Sequence, residues 1–239
     1  MQEQNFKSAF ILGFFVFLGL AFLGYFGGSS AIKFKSLERT VTVKGLAERE
    51  YPADIALWPI QFTRASNDLN DLYAGLESDT SHVIEFLKEN GINNDEINMS
   101  TPLITDKLAQ QYGGSQGVEF RFTASRTVTV YSNNVDMVRS TMSRLVDLGK
   151  KGITLSGDEY RTTTEYIYTK LNDVKPEMIE EATTKAREVA EKFAHDSNSK
   201  LGKIKTAQQG QFSIEDRDKN TPYIKKVRVV STIEYYLTD

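Results

Sequence analysis

Chemistry at neutral pH begins with a short list of side chains, and this chain holds few of them. It has two histidines and no cysteine, which excludes thiolate nucleophiles, disulfides, Cys-based zinc sites and a lipid-modified N-terminal cysteine. His82 and His195 fall on two different expected helices, and neither has a second ligand at i+4 to complete a metal pair. Both read as surface or boundary residues. Asp216, Asp218 and Asn220 start like a calcium loop, but Thr221 replaces the required Gly, Pro222 follows, and Val227 stands where the bidentate Glu belongs. That stretch reads as a charged hairpin turn. Asp158 and Glu159 are paired carboxylates, yet nothing beside them would split their pKa values into an acid and a base, so they read as solvated turn residues. There is no phosphate-cradling glycine loop before a helix and no Gly-x-Ser-x-Gly elbow. The glycines at 113–117 lie between expected strands. The expectation is a non-enzymatic protein with no catalytic residue, no cofactor and no metal site.

Composition points the same way. Hydrophobic residues at 40% with 26% charged describe an ordinary folded protein. A net charge of −3 supplies no field to concentrate nucleic acid or anionic lipid. Glu119, Phe120, Arg121 and Phe122 imitate an aromatic RNA-binding platform, but its Gly-Phe-Gly-Phe core is missing and the charge is acidic, so no nucleic-acid partner is expected.

One segment stands apart. Ala9 to Gly28 is uncharged and apolar, and about 20 such residues suffice to span a bilayer. The run is longer than the roughly 7–15 residues of a signal-peptide core, and Ser29 and Ala31 make a poor cleavage site. A retained anchor is therefore preferred over a cleaved signal that releases the protein. Ala9, Gly13 and Ala21 recur on a four-residue spacing interrupted by Phe17, and Gly24 with Gly28 adds a small-xxx-small pair. These five residues are the candidate surface for packing against another membrane helix. Lys7 precedes the segment while Lys33, Lys35 and Arg39 follow it, a charge difference that slightly favours a cytoplasmic C-terminal domain.

The remaining chain must supply the elements. Residues 1–8 read as a short tail, 9–28 as the anchor, 29–38 as a linker and 39–239 as one folded domain of two sub-lobes. Thr40 to Lys44 alternates as a strand that breaks at Gly45. Ala53 to Thr63 is a second strand, placed at an edge or a bulge by Pro59 and paired with the first. Ser66, Asn67 and Asp68 offer N-cap oxygens for a helix with Leu69, Leu72, Tyr73, Leu76, Val83, Ile84 and Leu87 on one face. Two long strands, 97–110 and 118–131, flank the glycine tip. A helix over 134–148, strand structure over 153–169 and a third helix with Pro176 in its first turn come next. The buried face of that helix is largely alanine, which demands close packing. A hairpin of 203–214 and 225–237 closes the chain. This order, with too few helices to cover two faces of a parallel sheet, predicts an α+β fold with largely antiparallel sheets. The sheet face that the helices leave free needs a partner or a polar surface.

Four stretches carry a resemblance: Thr40-Val41-Thr42-Val43-Lys44-Gly45, then Pro52-Ala53-Asp54-Ile55-Ala56, then the helix through Ala182, Ala186, Ala190 and Ala194 leading to Leu201-Gly202-Lys203, and the closing strand from Val227 to Leu237. In order and spacing they resemble the SIMPL-domain family of mostly bacterial envelope proteins. The resemblance implies two connected lobes behind an N-terminal signal or anchor, and in some members assembly into ring-like or channel-like homo-oligomers. It brings no catalytic residue and no ligand site. It places the domain outside the bacterial inner membrane, facing the periplasm, and this outweighs the small charge difference. The expected partners are further copies of the chain and the lipid bilayer. The rival expectation is a monomeric or dimeric ligand- or signal-binding ectodomain with a role in stress response, which calls for a closed apolar pocket.

Overall fold

The computed structural model describes residues 2–36, 39–109, 119–156 and 163–238. The chain is α+β, with an apolar N-terminal helix ahead of two mainly antiparallel sheets. It divides into two compact units, residues 1–48 with 175–212 and 228–239, and residues 49–174 with 213–227.

The first unit holds α1 (Gln2–Ser36), most of β1 (Thr40–Pro52), the body of α5 (Leu171–Asp196), β8 (Lys200–Gln209) and most of β10 (Ile224–Thr238). Its strands run in the order β1-β10-β8. Strand β10 alternates strictly, burying Val227, Val229, Ser231, Ile233 and Tyr235. The face of α5 at four-residue spacing, Ala182, Ala186, Ala190 and Ala194, is fully or almost fully buried. Methyl groups alone line that face, so the helix axis sits close to the sheet. Gly45 completes the fit, because a Cβ there would lie 2.5 Å from the Ala186 amide nitrogen and closer still to the Ala182 carbonyl. The glycine expected to interrupt β1 is instead required within it, and the strand continues to Pro52. Helix α5 begins at Leu171, which places Pro176 inside it rather than in its first turn. Only the bond that residue 176 would donate to residue 172 is lost, since both lie within the opening turns.

The second unit is built on β2 (Ile55–Ser66) and β5 (Phe122–Ser132), paired in unbroken antiparallel register from Ala56↔Ser132 to Ser66↔Phe122. Strands β3 (Ile97–Met99) and β4 (Leu103–Asp106) both pair with the outer side of β5. Strands β6 (Thr154–Leu155) and β7 (Glu165–Ile167) pair with the outer side of β2. Helices α2 (Leu69–Glu89), α3 (Val135–Met142) and α4 (Val146–Lys150) complete the unit. The short strand β9 (Ser213–Asp216) pairs with β10.

Two expectations are corrected here. Strands β1 and β2 do not form a hairpin, since β1 pairs with β10 and β2 with β5. Strand β2 is also interior despite Pro59. The Gln61 carbonyl accepts from Ser156 N on the β6 side, so by two-residue alternation the Pro59 nitrogen points the same way. Along this side the pairing with β7 reaches Leu57 and that with β6 begins at Phe62, so among the described residues no ladder partner faces Pro59.

Strand alternation sorts the sheet into two faces. Trp58, Ile60, Phe62, Ala124, Val128 and Val130 enter one core with Leu72, Leu76, Val83, Phe86 and Leu87 of α2. On the opposite face the pairs Pro59↔Thr129, Gln61↔Thr127 and Thr63↔Ser125 present hydroxyls and an amide. Of the two options for a free sheet face, this one is polar. The helix expected over 134–148 is split into α3 and α4 by tight bonds from Arg144 N to Thr141 O and Leu145 N to Met142 O.

Candidate functional site

Helix α2 is fixed at its start by Asp68, whose Oδ1 accepts from Asn70 N at 2.7 Å and Asp71 N at 3.0 Å. One turn further, Gly75 leaves room for the Arg64 side chain, whose Cδ lies 2.6 Å from where a Cβ would stand. There Arg64 Nη1 donates to both Asp79 carboxylate oxygens, at 3.0 and 2.9 Å. Beside it Arg126 Nη1 donates to Thr80 Oγ1 at 3.0 Å and pairs with Glu77 at 2.9 Å. Sequence reasoning missed this cluster. Its signal is a glycine inside an otherwise regular helix, at the position facing an arginine on the strand before it.

A cleft of the second unit has a volume of about 720 Å³ and gathers Tyr51, Asp54, Glu96, Asn134, Asp136, Tyr168 and Lys170 at its walls. Several of these polar groups already have a structural task. Asp54 accepts from the Thr169 amide at 2.9 Å and its hydroxyl at 2.7 Å. Asn134 caps α3 through Met137 N at 3.0 Å. Asp136 pairs with Arg139 at 3.3 Å. Partial burial pushes the Glu96 carboxyl up, but hydrogen bonds from Ser132 and Asn93 outweigh it and hold the group below the usual carboxylate range. Tyr51 and Tyr168 stack with centroids 5.2 Å apart, and burial raises Tyr168, helped by the charges of Tyr51, Asp173 and Asp54. The cleft is an open groove in which Asp54 and Glu96 hold backbone in place, with no nucleophile and base in mutual reach among its described walls.

His82 is half-buried on α2 of the second unit, and His195 belongs to the first. His195 is exposed, with Nδ1 3.5 Å from Asp196, on a shallow surface groove lined by Glu188, Glu191, Lys192 and Asp196 of the same helix. Asp218 is used up by its own turn. It accepts from Asn220 N at 2.8 Å, from Thr221 N at 2.9 Å and from the Thr221 hydroxyl, and pairs with Arg217 at 3.0 Å. These bonds, the Thr221 hydroxyl and Arg217 first, lower its pKa to about 2. Asp216 pairs with the buried Lys225. Among the described residues no three His, Cys, Asp or Glu side chains are placed to hold a metal ion. Arg121, at the centre of the imitated RNA platform, is forked onto Asp106 at 2.8–3.2 Å. Asp158, Glu159, Val118 and the glycines of 113–117 lie outside the described residues.

Helix α1 extends past the apolar run on both sides, covering the expected tail from Gln2 and the expected linker as far as Ser36. Nothing in residues 29–36 breaks a helix once it has formed. Its Leu12–Ser30 stretch is long and apolar enough to cross a bilayer, and none of it is buried. Ala9, Gly13, Ala21, Gly24 and Gly28 all lie on it. At about 100° per residue they fall within a stripe of about 120°. Ala21 is exposed, and a Cβ added at Gly13, Gly24 or Gly28 would meet open space. The side chain of Ala9 is outside the described residues.

These features define an α+β protein with an apolar N-terminal helix and a folded part whose polar groups mainly support its own backbone. The model of the SIMPL family, described as a protein of unknown function (DUF541), matches residues 41–232. The chain belongs to that family. No curated protein matches it.

Three of the four stretches that carried the resemblance come together in the first unit. Gly45, the α5 alanines and β10 form the thin layer of the first unit. Gly202 lies against β10, where a Cβ would come within 2.9 Å of the Tyr236 carbonyl.

Proposed function

We propose that this chain is a non-enzymatic envelope protein, retained by α1 in the bacterial inner membrane with its folded part facing the periplasm, and that it self-assembles into a ring-like homo-oligomer. The observation that carries this reading is α1 itself. Its apolar stretch is wholly unburied, so its exposed side chains call for lipid or another helix. Helical structure also runs unbroken through Ser29 and Ala31, whereas a signal peptidase takes its substrate as an extended strand. Anchoring in a membrane confines copies to two dimensions and raises their effective concentration, which favours association through weak contacts.

The alternative, a ligand- or signal-binding ectodomain acting as a monomer or dimer, calls for a closed apolar pocket. The cleft at Asp54, Glu96 and Lys170 is instead an open groove with carboxylates in its walls, and this favours the assembly reading. Two measurements test the anchored state. Alkaline carbonate should leave the full chain in the membrane pellet. Protease added outside should digest the folded part once the outer membrane is opened. A chain released by carbonate, or one protected until the inner membrane is broken, contradicts the proposal.

A further inference from the structure

The segment Glu96-Ile97-Asn98-Met99-Ser100 is an Asn-x-Ser triplet whose middle residue is not proline, the acceptor pattern for asparagine-linked glycans. It also has a carboxylate two residues before the asparagine, the added requirement of bacterial oligosaccharyltransferases. The structure places this pentapeptide where an enzyme can reach it. Asn98 is the middle residue of β3, a three-residue strand at the edge of its sheet. Opposite Thr129 in the register, it projects from the polar face. Asn98, Met99 and Ser100 are all exposed.

Four other asparagine side chains of this unit are committed to structure. Asn67 bridges Glu119 and Arg121, Asn90 bonds Phe86 and Arg144, Asn93 bonds Glu96, and Asn134 caps α3. The Asn98 carboxamide makes no hydrogen bond to the described residues. Beyond its short ladder, the segment is held by Ser100, which donates to Thr127 O at 2.9 Å and accepts from Thr127 N at 3.1 Å. A strand this short at a sheet edge opens at low cost, freeing the Ser100 hydroxyl that acceptor recognition needs.

We propose that Asn98 is a site of N-linked glycosylation, with a polyprenyl-diphosphate-linked oligosaccharide as the co-substrate. The inference rests on the periplasm-facing reading, because such donors are used on the outer side of the inner membrane. In the transfer, Asn98 Nδ2 forms a bond to C1 of the first sugar as the C1–O bond to diphosphate breaks. Polyprenyl diphosphate leaves with the electron pair, and the amide proton passes to the enzyme's base. The glycan then covers the edge of β3 and blocks strand addition there.

The test is expression of the full chain in bacteria carrying an oligosaccharyltransferase and its lipid-linked donor, with one acceptor pentapeptide appended after Asp239. Intact mass should show two glycans on the parent chain and one on N98Q, on S100A and on E96Q, each with an unchanged circular dichroism spectrum. A glycan on the appended acceptor but none on Asn98 overturns the proposal and leaves the periplasmic reading intact. If neither acceptor is modified, the periplasmic reading fails and the proposal fails with it.

Discussion

Gly45 lies directly against the main-chain carbonyl of Ala182, so strand β1 and helix α5 touch backbone to backbone with no side chain between them. A methyl group at residue 45 would strike the Ala182 carbonyl and approach the Ala186 nitrogen to 2.5 Å. Neither group can rotate away. Overpacking typically costs about 1–3 kcal/mol, and this contact belongs at the upper end of that range. Gly45→Ala is expected to lower the urea midpoint of the domain accordingly, while Gly24→Ala on α1 leaves it unchanged. Equal midpoints for Gly45→Ala and the parent chain would contradict the contact.

The Arg64–Asp79 pair makes a second prediction. Asp79 is buried and Arg64 is 42% exposed at its side chain, so losing the acceptor strands only a partly desolvated guanidinium. Asp79→Ala should cost about 1–2 kcal/mol. Gly75→Ala pushes Arg64 off the same carboxylate, so its cost should largely disappear in an Asp79→Ala background. A double-mutant cycle in urea checks this, and strictly additive costs would show that Gly75 does not serve the pair.

Acid titration probes the β9–β10 turn. The Asp218 carboxyl lies at about 2 in the folded chain against an ordinary 3.8, with the Thr221 hydroxyl the first cause and Arg217 the second. A depressed pKa stabilises the fold above the unfolded value and loses that contribution as pH falls through the folded one. Asp218→Asn should therefore flatten the dependence of melting temperature on pH between about 4 and 2. Thr221→Val should shift the Asp218 carboxyl resonance titration upward in NMR. An unmoved titration would remove Thr221 from the account.

Much of this fold was legible in sequence because each part follows from one local rule. The alternation of Val227 to Leu237 reads as a strand, and the alanines of α5 read as a closely packed face. The apolar run of α1 needs no tertiary information. What escaped depends on partners far away in the chain. Pro59 reads as an edge residue until strands β6 and β7 pair with β2 on either side of it. Gly45 reads as a strand break until Ala182 occupies the space of its absent side chain. Thr40 to Lys44 and Ala53 to Thr63 look like a hairpin, and only long-range pairing with β10 and β5 separates them. The supporting role of Asp54 and Glu96 was hidden for the same reason, since their hydrogen-bond partners lie on other elements or in turns that the fold creates.

Helix α1 gives a prediction about association. Gly24 and Gly28 have open space around their Cα atoms, so Gly24→Leu with Gly28→Leu keeps the helix intact while filling the stripe through which neighbours approach. In mild detergent the double variant should associate more weakly than the parent, with the circular dichroism spectrum unchanged. Unchanged association would remove the small-residue stripe from the assembly.

Self-assembly of the anchored chain is the central claim, and the mass of the purified full-length protein in mild detergent tests it most directly. Light scattering corrected for bound detergent, at physiological concentration, should give one closed multiple of the 27.0 kDa chain that persists on dilution. A single species at the mass of one chain would contradict it.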